Sequence, residues 1–138
     1  MTMFLVAALV LVTDQVPEGP VQSPAQSYGV EVLKANAGNI RKYAEVAVGW
    51  HVMQRCNSLE AAARSEFEQD VAKATRGVAR VFGSAYGDRM MGLQRTIAIQ
   101  QKAQMFATAN FMTCDSRAAE LVTKQREEAQ SLAAALAD

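Results

Sequence analysis

Apolar residues recur at steps of three and four through most of this chain, which is the helical period. After Pro24 no proline interrupts it over more than a hundred residues. Val32 or Leu33, Ile40, Tyr43, Ala47, Trp50 and Met53 form one stripe, with a gap near Asn36-Ala37. Gly38-Asn39 offers a second place for this helix to begin, with Asn39 as its N-cap. Leu59, Ala62 or Ala63, Phe67, Val71, Ala74, Val78 and Val81 or Phe82 form a second stripe. Met91, Leu93, Ile97, Met105, Phe106, Ala109 and Met112 are the inward face expected of a third helix. Leu121, Val122, Ala129, Leu132 and Leu136 are that of a fourth. Polar breaks separate these stretches. Asn57 and Glu60 have capping-box spacing, Gly83-Ser84-Ala85-Tyr86-Gly87-Asp88 is a turn signal, and Thr113-Cys114-Asp115-Ser116 suits a cap or kink.

The pattern predicts an all-α fold: an antiparallel bundle of four helices over about 28–55, 58–82, 89–113 and 115–136. One long hairpin is the competing architecture, but arms of about fifty residues would run about 75 Å each. A bundle lets each helix bury its stripe against two neighbours. The two cysteines fit either arrangement, because their midpoint is residue 85, inside the turn signal. In the bundle, a Cys56–Cys114 disulfide joins two helix corners; two free buried thiols are the alternative.

The N-terminal part departs from the helical pattern. Met3 to Val12 is an unbroken apolar run, too short as a helix for a stable transmembrane span. It has the length of a signal-peptide core, yet no Lys or Arg precedes it and no small-x-small site follows at once. Residues 1–13 thus read as an atypical signal peptide, or as a segment packing on the domain. Residues 14–27 collect all three prolines and read as a linker, leaving 28–138 as the bundle domain. The leader and matched cysteines together point to a periplasmic or extracellular location.

Charge changes the picture through its distribution. Acids and bases balance at 14 each. Between residues 71 and 102, however, six cations face Asp88 alone, whereas residues 56–70 hold four acids against Arg64. Lys73, Arg76 and Arg80 share one helical face, and Arg89 follows the turn. This patch suits an anionic surface or an acidic envelope protein, or it is ordinary solvated surface. There is no basic–aromatic interleaving and no DNA-binding motif, so nucleic acid is not an expected partner. Self-association is compatible with the sequence.

Candidate chemistry is sparse. His51 is the sole histidine, and His51 and Met53 diverge on a helix, so they are poorly placed to chelate a metal together. No Cys-x-x-Cys-His, Gly-x-Ser-x-Gly or phosphate-loop pattern occurs. No cofactor or metal and no catalytic residue is assigned. Gly49 beside Trp50 allows a close helix approach, room for the indole or the edge of a pocket. Gln94, Gln101 and Thr108 repeat every seven residues, as a solvated face or a cavity lining. The expected function is non-enzymatic binding or structure in a cell envelope. The alternative is a small all-helical enzyme or small-molecule binder with a site around Arg95, Gln101 and Gln104.

Overall fold

The computed structural model describes residues 24–137, and the apolar run and most of the proline-rich segment lie outside them. Five helices account for the described chain: α1 (Pro24–Ala35), α2 (Ala37–Cys56), α3 (Ala61–Tyr86), α4 (Arg89–Asn110) and α5 (Ser116–Ala135). The fold is all-helical, with five helices where the hydrophobic pattern suggests four. The extra boundary falls at the gap in the first stripe. Asn36 leaves helical geometry at φ −112° and ψ 9°, and its side-chain amide donates back to Val32 O at 2.9 Å. That local bond gives the backbone an alternative to helix continuation. Pro24 occupies the first helical position, where its missing N–H has no intrahelical partner to lose. Helix α1 therefore starts four residues ahead of the expected position.

Helices α2 to α5 form a ring in which α2 touches α4 and α5, and α3 touches the same two. Helices α2 and α3 also meet across the middle, while α4 and α5 do not meet among the described residues. Helix α1 lies on the outside of α3. Alternate helices run parallel, which shows as a near-constant sequence offset. Tyr43 bonds Gln100 at a separation of 57 residues, Arg55 bonds Phe111 at 56, and Cys56 bonds Cys114 at 58. The core is built from Tyr43, Val46, Val52, Met53, Phe67, Val78, Val122 and Leu132, with Trp50 edge-on to Phe67 at 5.4 Å. The stripes expected for α3 and α5 face this core.

Close approaches rest on glycine. A Cβ on Gly49 would meet Gln125 Cβ at 2.4 Å, so this glycine admits α5 against α2. A Cβ on Gly92 would meet Ala79 O at 2.5 Å and Gly83 N at 2.8 Å, so α3 and α4 touch backbone to backbone there. The α3–α4 turn is shorter than its sequence suggests. Helix α3 continues through Tyr86, Gly87 alone takes the left-handed conformation at φ 63°, and Asp88 caps α4 by accepting from Met90 N–H at 2.9 Å.

Packing reverses the expected orientation of α4. Gly92, Thr96, Ala103 and Ala107 are buried, with Ile99 packed against the core, whereas Leu93, Met105, Phe106, Ala109 and Met112 face outward. Met105 is 72% exposed and Phe106 54%. The backbone-to-backbone approach at Gly92 leaves little depth there, so the side of α4 facing α2 and α3 carries mostly small side chains. The capping box at Asn57 also fails to form. Asn57 is the C-cap of α2 in left-handed conformation (φ 50°), its N–H donates to Met53 O, and its side-chain oxygen accepts from Arg64. Glu60 consequently starts α3 without a side-chain cap.

Candidate functional site

The disulfide is formed where the two cysteines suggest. Cys56 ends α2, Cys114 lies in the α4–α5 connection, and their Cα atoms are 5.5 Å apart. The pair closes the end of the bundle at which α2 and α4 both stop. Arg55, one residue earlier, donates to Ala107 O at 3.3 Å and to Phe111 O, so α2 supplies a cation to the carbonyl end of α4. Arg117 stacks over Phe111 at 4.4 Å and donates to Asn110 O at 2.6 Å. Both sulfurs are bonded to each other.

His51 lies near the C-terminal end of α2. It is part-buried beside the Gln100 backbone, and desolvation lowers its pKa below the usual 6.5, with the Gln100 hydrogen bond opposing that shift. Met53 is buried in the core. Among the described residues no three His, Cys, Asp or Glu side chains gather as a metal site.

The opposite end of the α3–α4 hairpin is different. A groove of about 800 Å³ runs between the two helices near their turn. Its apolar part comes from Ala79, Gly83, Leu93 and Ile97, with Leu93 42% and Ile97 50% exposed. Arg76, Arg80 and Arg89 also line it, so three of the four residues of the sequence-derived basic patch converge on one feature. Lys73 lines an adjoining cleft with Arg76 and Arg80, against the C-terminal end of α5. Arg80 is held by the chain itself, donating to Leu136 O at 2.6 Å. Arg76 and Arg89 are exposed and have no ion-pair partner among the described residues.

The deep side of the groove is polar but already bonded. Thr75 and Gln100 line it, and Tyr43 lies behind them, fully buried. Thr75 Oγ1 donates to Val71 O at 2.7 Å, so it must accept from Tyr43 Oη at 2.8 Å. Tyr43 Oη in turn accepts from Gln100 Nε2 at 2.8 Å. Each hydroxyl has one proton, which fixes the direction of the whole relay from α4 through α2 to α3. Thr96 is buried as well, with its hydroxyl on Gly92 O at 2.8 Å. These groups set the spacing of three helices and turn their hydrogen bonds inward.

Arg95, Gln101 and Gln104 are exposed along α4, as are Gln94 and Thr108. Arg95 lies over the Tyr86 ring at 5.1 Å. The glutamine that does turn toward the interior is Gln100, one residue from the heptad row. No helix among the described residues is long and apolar enough to cross a membrane. No family model matches the chain, and neither a curated protein nor a solved structure matches it.

Proposed function

We propose that this chain is an exported, non-enzymatic binding protein of a cell envelope, and that its working face is the α3–α4 hairpin turned toward an anionic lipid surface. One observation carries the reading: α4 packs mostly small residues inward and leaves Met90, Leu93, Ile97, Met105 and Phe106 exposed. Helix α4 also contains Arg89, Arg95 and Lys102 and no Asp or Glu. Exposed apolar side chains interspersed with cations let apolar burial and attraction to anionic headgroups add together at a membrane surface. Lys73 and Arg76 extend the positive region onto α3. Export is supported by the apolar run at Met3 to Val12 and by a disulfide that favours an oxidising compartment.

Sedimentation of the protein with phosphatidylglycerol vesicles tests this directly. Binding is expected to be salt-sensitive, to be weak on phosphatidylcholine, and to fall at least about tenfold in a K73E/R76E/R89E variant, about 1.4 kcal/mol. Equal binding to both vesicle types would sink the reading. The alternative, a small-molecule site lined by Arg and Gln, draws its support from Arg76, Arg89 and Gln100 in the groove.

A further inference from the structure

We infer that the α3–α4 groove takes up the acyl chain of a single anionic amphiphile, a fatty acid or other single-chain lipid carrying a carboxylate or phosphate. The inference rests on the anionic-lipid reading above and adds a monomer-binding site to it. The groove has the size of small-ligand sites, about 300–1,000 Å³. Its walls alternate large and absent side chains. Leu93 and Ile97 stand on α4, while Ala79 and Gly83 leave the facing strip of α3 bare. A chain lying in that trough would cover two branched side chains that are now half exposed, a gain of about 25 cal/mol per Å² of apolar surface removed from water.

Polarity decides which way the ligand would lie. At the deep side Thr75 and Gln100 are bonded to Tyr43, and Thr96 is bonded to its own helix. A headgroup therefore finds its donors in Arg76 and Arg89, the exposed cations of the lining. Asp88 is the one acid of the lining, and its carboxylate already accepts from Met90 N–H. Guanidinium groups suit carboxylate and phosphate through paired N–H donors.

Charge also argues against a second copy as the occupant. Helix α4 has three cations and no acid, so pairing two α4 faces would set like charges together.

Gly83 supplies a specific test. A Cβ built there meets Arg89 Cα at 3.7 Å and Asp88 O at 3.8 Å, ordinary contacts, so a β-carbon can be added without forcing the helices apart. The full chain is titrated with cis-parinaric acid, a fatty acid whose fluorescence rises in apolar surroundings, kept below its aggregation threshold. Saturable one-to-one uptake is expected, displaced by laurate at least about tenfold better than by dodecanol. Gly83→Leu should weaken uptake at least about tenfold by filling the trough, and R76E/R89E should remove the preference for laurate over dodecanol. Circular dichroism and a melting curve on each variant separate lost binding from lost fold. Leu93→Gln provides a second groove variant, at an exposed position, with the same expected loss.

Wild-type uptake in both Gly83→Leu and Leu93→Gln overturns the inference. So does the absence of saturable uptake in a chain that still sediments with anionic vesicles, which leaves the surface reading standing. Failure of both assays sinks both. A dimer by light scattering that takes up no probe assigns the face to a second copy, and uptake only after removal of residues 3–12 assigns it to the chain's own apolar run.

Discussion

A side chain is admitted or refused at each helix crossing by distances of a few tenths of an ångström. Gly92 and Gly38 make the contrast. The Cβ of Gly92→Ala would fall 2.5 Å from Ala79 O and 2.8 Å from Gly83 N, both backbone atoms that cannot rotate away. The expected outcome is a loss of about 1–3 kcal/mol of unfolding free energy, read as a lower denaturant midpoint. Gly38→Ala meets nothing within 4 Å and removes glycine's extra unfolded-state freedom, so a gain of up to about 1 kcal/mol is expected. His51 yields a prediction in pH. Burial lowers its pKa from 6.5, so the unfolded chain binds the proton more readily than the folded one. That contribution is complete above pH 6.5 and is lost as pH falls through the lowered folded value. Melting temperature should therefore decline on acidification below about pH 6.5, and His51→Gln should flatten that part of the curve. An identical decline in both proteins would place the proton elsewhere.

Individual helices differ in how openly the sequence declares them. Helix α3 is legible because its buried positions, Phe67, Ala74, Val78 and Phe82, are apolar on the ordinary helical period. Helix α4 misleads because large apolar residues are expected inside, and here the close approach at Gly92 favours small ones on the inward side. A signal was present: Gly92, Thr96, Ile99, Ala103 and Ala107 recur at steps of four, three, four and four. It is a stripe of small and medium side chains, marked by size more than by hydrophobicity. The break at Asn36 was visible as a gap, but the side-chain bond to Val32 O that makes it depends on a rotamer choice. Asn57 matched a cap spacing and was taken instead by the end of the preceding helix, since asparagine tolerates the left-handed conformation that terminates α2. The patch residues were legible as a charge cluster. Their convergence on a groove was not, because it depends on how α3 and α4 pack against each other.

At the scale of the whole molecule, the disulfide and the groove lie at opposite ends of the α3–α4 pair. Cys56–Cys114 closes a loop of 58 residues, which in the chain-entropy account contributes about 4 kcal/mol. Total stability in a domain of this size is about 5–15 kcal/mol, so the cross-link is a large share of it. Reduction, or C56S/C114S, should lower the melting temperature by roughly ten degrees or more; an unchanged value would assign the stability to packing alone. The groove is held by other means, namely the Gly92 contact and the Tyr43 relay. Lipid uptake is accordingly expected to survive reduction at temperatures where the chain stays folded.

The cross-link also has a topological consequence. Its covalent ring runs from Cys56 to Cys114 and encloses all of α3 and α4, while α2 and α5 hang outside it and pack on each other. A single cut at Gly87 would open the ring without freeing either arm. The α3–α4 hairpin can therefore be severed at its tip, or rebuilt with new ends there, and the molecule would remain one connected chain of atoms.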